Sequence, residues 1–331
     1  MKWLNAALFF VLLPISVFAE EKQYKSVLAL DFENDLGFTD RYYTNGVRLS
    51  YTDNGSDWLA NKLQFKLLEL FIDENSKTQK FQTAGFGQGM YVGYDIRDPN
   101  PPADDRPYCG LLYFFATSHI MRENSLDSFG LNIGLTGKYS LAEETQKFVH
   151  SINTEAKWPM GWHNQIETEP AFLFNYRHAE RVYKIQKGSL GGDVVASCSA
   201  NLGNIKVSGQ ADILLRFGYN LPNSFDAGCI DYGNSQNVGI AKTNGANWHA
   251  YLFAAATGQV VGYDITLDGN AFRHSPRSVE KEYVVGTARF GASLRYDYVQ
   301  LDYTFMIQSD EFENQKGSLR CYSYASLKIL F

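Results

Sequence analysis

The chain has 331 residues, a formal net charge of −6, 45% hydrophobic residues and 15% aromatic ones, with 23 Phe and 21 Tyr. A mildly acidic chain with no long basic run is poorly suited to nucleic acid. Beyond the amino terminus no run of eighteen apolar residues is present, which excludes a spanning helix and leaves a secreted β protein or an aromatic-rich membrane barrel.

Lys2 followed by the apolar run Ala6–Phe18 and the small-residue site Val17-Phe18-Ala19 reads as a secretory signal peptide, residues 1–19. Residues 20–331 then form one domain, with no internal repeat. Strands are predicted at 25–35, 43–53, 80–91, 108–120, 126–137, 164–178, 192–201, 206–220, 247–263, 282–296, 298–308 and 319–331. Alternation carries the assignment. In 206–220, Val207, Ala211, Ile213, Leu215 and Phe217 oppose Lys206, Ser208, Gln210, Asp212 and Arg216. Such segments approach the roughly nine to eleven residues a tilted membrane strand needs, and lipid permits only a closed sheet. Twelve is an even number, as single-chain outer-membrane barrels require. The expected fold is therefore all-β, a twelve-stranded antiparallel transmembrane β-barrel, acting as a monomer in the outer membrane. The terminal Phe331 resembles the assembly signal of such proteins.

With the amino end in the periplasm, up-and-down order places loops 35–43, 92–107, 138–163, 264–281 and 309–318 outside. The first, within F-E-N-D-L-G-F-T-D-R-Y-Y-T-N-G (32–46), holds Asn34, Asp35, Asp40, Arg41 and Thr44, far more chemistry than a turn needs. Residues 56–73 form an amphipathic stripe that either lies on the inner leaflet or plugs the barrel end. In the third external loop, Ser140 and Glu143 have capping-box spacing and predict a helix over about 141–152. Gln146 and His150 then share one face, and Phe148 and Val149 are expected to pack the helix down. A histidine with a fixed direction suits a general base. His150 is singled out from the other five because strand parity puts it on the same side as Asn34, Asp35 and Thr44.

No G-x-S-x-G elbow occurs, so an activated water is the expected attacker. Oxygen ligands such as Asp35 favour Ca²⁺ over Zn²⁺. Cys109, Cys198, Cys229 and Cys321 lack zinc-site spacing. Cys198 and Cys229 are one pairing option among several.

The segments N-D…T-D-R-Y-Y-T-N-G (34–46), D-R-P-Y-C-G-L-L-Y (105–113), Q-K-F-V-H (146–150), G-W-H-N-Q-I (161–166) and L-D-G-N-A-F (267–272) occur in the order found in the outer-membrane lipid A 3'-O-deacylases. The chain resembles that family over nearly its whole mature length. The resemblance implies a twelve-stranded barrel of a Gram-negative outer membrane that binds lipopolysaccharide and hydrolyses the 3'-linked acyloxyacyl ester of lipid A, with calcium at the site. By position it makes His150 the group that activates water. Asn34, Asp35 and Thr44 become its catalytic companions, Asp35 and Glu155 the metal ligands, and Gln146 and Arg97 substrate contacts. One departure is plain: no lysine lies between Lys80 and Lys138, where active members use one, and Arg97 is the nearest substitute. The alternatives are another acyl-ester hydrolase of phospholipase type, or a non-catalytic barrel or pore.

Overall fold

The computed structural model describes residues 24–35, 40–54, 64–66, 69, 78–152, 156–225, 228–230, 248–317 and 319–331. The signal segment and Glu155 lie outside them. Twelve strands are present: β1 Ser26–Asp35, β2 Tyr43–Asp53, β3 Gln79–Tyr91, β4 Cys109–Met121, β5 Ser125–Thr136, β6 Pro170–Lys187, β7 Leu190–Gly203, β8 Lys206–Tyr219, β9 Trp248–Asp264, β10 Val284–Tyr296, β11 Val299–Gln308 and β12 Arg320–Leu330. Each pairs antiparallel with its neighbours, and β1 pairs with β12 from Val27↔Leu330 to Asp35↔Tyr322, so the sheet closes. Closure leaves no strand edge unpaired, as a hydrocarbon surrounding requires. No described helix is long and apolar enough to cross a membrane; the strands do so.

Alternation is inverted relative to a soluble protein. Leu30, Phe114, Phe217, Leu252, Val260 and Phe290 stand exposed on the outer wall. The lumen holds paired charges: Arg48 with Asp31 at 2.9 Å, Arg216 with Asp193 at 2.6 Å and Lys328 with Asp302 at 2.6 Å. Apolar side chains face lipid, while charges removed from water compensate one another inside.

Eleven of the twelve strand assignments hold to within about two residues, the ordinary scatter of strand ends. The exception is β6, expected over 164–178. Residues 162–164 form a short 3₁₀ turn, the strand starts at Pro170, and it runs on to Lys187. Its last residues are exposed on both faces, so the β6–β7 hairpin extends past the wall where alternation no longer signals it.

Two segments meet the barrel at its periplasmic end. Most of 56–73 lies outside the described residues, but Gln64 and Phe65 are placed. Gln64 donates to the Ala116 carbonyl at 3.0 Å and accepts from Ser118 Oγ at 2.9 Å, and Phe65 packs against Ile120, as Phe129 and Tyr176 also do. Strand parity turns Ser118 and Ile120 outward, so Gln64 and Phe65 lie against the outer wall and not in the lumen. Residues 221–225 and 228–230, from the periplasmic β8–β9 connection, enter the lumen. Phe225 is fully buried, Arg177 donates to its carbonyl at 3.0 Å, and Arg181 and Arg216 donate to the Ser224 carbonyl at 2.9 and 2.7 Å. The four cysteines are free thiols, so the Cys198–Cys229 option is not realised.

Candidate active site

The external rim is built by the sequence motifs. Asp105 accepts from the backbone amides of Tyr94 and Arg106 at 2.7 and 2.8 Å. Arg106 is fully buried and donates to Glu311 at 2.5 Å and Thr266 Oγ1 at 2.6 Å, so one guanidinium ties three external loops together. Glu169 accepts from the amides of Ala271 and Phe272 at 2.9 and 3.0 Å, while Asn270 and Glu167 exchange hydrogen bonds at 2.8 Å. The D-R-P-Y and L-D-G-N-A-F stretches are therefore scaffold.

Helix α1, Ala142–Ile152, sits outside the wall over β3 and β4. Gln88 donates to the Ser140 carbonyl at 2.6 Å, and a Cβ on Gly110 would lie 2.0 Å from Ser140 Oγ, so the turn beneath the helix requires glycine there. The expected capping box does not form. Leu141 takes a left-handed conformation (φ 58°), and Ser140 Oγ accepts from the Ala142 amide at 3.4 Å and donates to the Gly137 carbonyl at 2.6 Å. Glu143 turns to Lys147, at 2.5 Å. Phe148 and Val149 do not pack the helix down; both are exposed, and the inward face is Ala142, Gln146 and His150.

His150 is held by two contacts. Its Nδ1–H donates to the Lys157 carbonyl at 2.5 Å, and its Nε2 lies 3.5 Å from Asp40 Oδ1. The same Oδ1 accepts from Thr44 Oγ1 at 3.2 Å. Thr44 occupies an irregularity in the β2–β3 register between Tyr43 and Asn45, which frees its side chain from strict alternation. Asp40 and Tyr42 both have positive φ (51° and 61°), an uncommon conformation for residues with a side chain and one that often marks a functional loop. Burial pushes the Asp40 carboxyl above its ordinary range, although His150, Thr44 and Lys157 all pull it down.

Asn34 and Asp35 occupy the last two positions of β1, beside this group. Asn34 pairs with Asn45, next to Thr44, and alternation turns it outward; its Oδ1 is buried without a hydrogen-bond partner among the described residues. Asp35 pairs with Tyr322 and so turns toward the lumen side of the rim. Thus His150, Asp40, Thr44 and Asn34 gather on the outward side, with Asp35 across the rim. A cavity of about 150 Å³ inside the lumen, lined by Glu33, Arg106, Asp212, Arg289 and Tyr322 among others, does not include His150.

The two expected substrate contacts have other duties. Gln146 is buried, and its Oε1 accepts from Trp162 Nε1 at 2.6 Å, which fixes α1 against the loop. Trp162 in turn stands edge-on to Tyr108 at 5.2 Å. Arg97 grips Asp95 through two bonds of 2.9 and 2.7 Å in a well-exposed loop, and the Asp95 carboxyl is held down to about 2 mainly by that hydrogen bonding. Sequence reasoning missed Asp40 as a site residue, although it stands in the motif. It also missed Lys157, an exposed cation that acts on Asp40 from the third loop.

The described residues contain no cluster of three or more His, Cys, Asp or Glu that would hold a metal. Asn34, Asp35, Asp40 and Thr44 are nonetheless hard oxygen donors, and the buried, unpartnered Asn34 Oδ1 is the atom such an ion would satisfy. In kind, the residues present fit calcium.

A closed, lipid-facing barrel with its polar cluster on the outward side of the external rim defines an outer-membrane β-barrel protein. A family model described as Outer membrane protein LpxR matches residues 4–331, and the chain belongs to that family. Among solved structures, LpxR from Salmonella typhimurium aligns over 92% of this chain and all of that one, with a TM-score of 0.74 and 18% identity, and so supports the fold. The β domain of the Bordetella autotransporter Brka covers 94% of this chain and all of its own at 8% identity; its TM-score of 0.46 adds nothing to the argument. No curated protein matches significantly.

Proposed function

We propose that this outer-membrane barrel is a calcium-dependent esterase that removes the 3'-linked acyloxyacyl chain from lipid A in the outer leaflet. The observation that carries the reading is the bound edge of His150. With Nδ1–H committed to the Lys157 carbonyl, the neutral ring keeps its lone pair on Nε2, and Nε2 faces the Asp40–Thr44 cluster on the outward side of the wall.

Nε2 takes a proton from water as the water oxygen attacks the ester carbonyl. It returns that proton to the sugar oxygen as the carbon–oxygen bond breaks, giving a fatty acid and an alcohol. Asp40 stabilises the imidazolium between these steps, and Thr44 holds Asp40 in place. Asn34 and the Asp40 carboxylate would hold the calcium ion from the outward side, and Asp35, turned toward the lumen side in this structure, would join them by a turn of the chain at the end of β1, with Glu155 as a further carboxylate from the third loop. When bound, the ion supplies positive charge that stabilises an oxyanion. Lys157, rather than a second-loop lysine, offers the nearby cation for a phosphate of the substrate, with Arg97 further along the rim.

The test is the lipid mass spectrum of cells expressing wild type or His150→Ala. Loss of a 3' acyloxyacyl group with wild type alone supports the reading. Lysophospholipid in its place assigns a phospholipase, and unchanged lipids in both refute an esterase.

A further inference from the structure

Helix α1 is amphipathic in the reverse sense for a water-exposed loop. Its polar Gln146 and His150 point inward, while Leu141, Phe148, Val149 and Ile152 point outward at 52, 66, 53 and 69% exposure. On a helical wheel Phe148 and Ile152 lie within half a quadrant of one another, far from Gln146 and His150. Trp158 and Met160, just beyond the helix, are about half exposed as well. Nothing among the described residues covers this surface.

Its position supplies the occupant. Ile133 and Leu135 are exposed on the outer wall of β5, and the chain passes from Thr136 through the turn Gly137–Ser140 directly into α1. The apolar column of the lipid-facing wall therefore leads up to the helix, with exposed Lys138 and Tyr139 in the turn between them. Trp158 and Tyr139, both exposed beside it, are of the aromatic types that collect at membrane–water interfaces. An apolar patch of this kind on a loop of a soluble protein would invite association, whereas beside a membrane it matches the acyl region.

We propose that the outward face of α1 is seated among the acyl chains of the outer leaflet, so that the helix carrying His150 is a membrane-contacting element. The inference rests on the outer-membrane location and not on the reaction. His150 then hangs on the inner side of a helix whose other side is anchored in lipid, and its cluster opens along the plane of the membrane.

Phe148→p-benzoylphenylalanine tests this by photocrosslinking in the full-length protein, reconstituted in vesicles of lipopolysaccharide and phosphatidylethanolamine. Phe114 on the barrel wall and Asn100 in an exposed loop, substituted in the same way, are the lipid and water references. Ile152→p-benzoylphenylalanine repeats the measurement should the first variant not fold. The expected result is acyl-chain adducts at 148 or 152 in a yield comparable with 114 and absent at 100. Adducts at 114 with none at 148 and 152 would overturn the proposal. Protein–protein adducts in place of lipid adducts at these positions would overturn it equally.

Discussion

The bond between Trp162 and Gln146 offers the sharpest measurement, because it separates holding the helix from touching the substrate. Trp162→Phe keeps a ring against Tyr108 but removes the indole N–H, leaving the Gln146 carbonyl oxygen buried without its donor. An unsatisfied buried acceptor costs about 1–3 kcal/mol, which corresponds to about 5- to 150-fold in an opening equilibrium. Amides of α1 such as those of Gln146 and His150 are therefore expected to exchange with solvent faster by that factor, with barrel-strand amides unchanged. Adding Gln146→Met removes the second partner, and two apolar groups in contact are nearly neutral. Exchange in the double variant should return close to wild type, and esterase activity should return with it. Unchanged exchange in Trp162→Phe, or faster exchange in the double variant than in the single one, would refute the argument. Protected amides with lost activity in the double variant would show instead that Gln146 contacts substrate.

His150→Ala is expected to lower kcat/KM by about 10²- to 10⁴-fold, the usual range for a general base, while heat-modifiable gel mobility stays that of a folded barrel. Full conversion of lipid A by this variant would exclude His150. Chelation by EDTA should abolish activity and added Ca²⁺ restore it, with Asp35→Ala needing more calcium for half-maximal rate; calorimetric titration of the His150→Ala protein reads the binding without turnover. For Asp40→Asn the sign follows from burial. The folded carboxyl titrates above its unfolded value of about 4, so its contribution to stability is lost as pH rises through the folded value. The Asn variant should match wild type in Tm below about pH 4, gain on it toward neutrality, and lose kcat/KM throughout. A Tm deficit that grows toward pH 7 would reverse that reading.

The barrel was legible because one physical requirement repeats in every strand. In β8 the sequence Lys206 to Tyr219 already separates lipid from lumen, and the structure places Phe217 and Leu215 outside and Arg216 inside. The end of β6 is not legible, since Val182 to Lys187 are all exposed and lose the contrast that alternation depends on. The helix was placed to within a residue, yet its apolar side was assigned inward. That assumption belongs to proteins surrounded by water. Motif spacing brought His150 and Thr44 to one locality but concealed Asp40 between them, because a loop residue's direction depends on backbone geometry at positive φ. Gln146 and His150 do share a face, as four-residue spacing demands. Only the position of Trp162 shows that one of them serves packing.

The chain inside the lumen touches the two strands that close the cylinder. Ile230 donates its amide to Glu33 of β1 at 2.5 Å, and Gly228 lies so close to Tyr324 of β12 that an added Cβ would fall 2.2 Å from the ring. A finished cylinder would have to admit this stretch through its narrow mouth, past Arg181 and Arg216, with its backbone still solvated. Threading is simpler while the first and last strands are apart. The stretch is thus part of the seam itself, since β1 and β12 are joined to one another by their pairing and each meets it from inside, at Glu33 and at Tyr324.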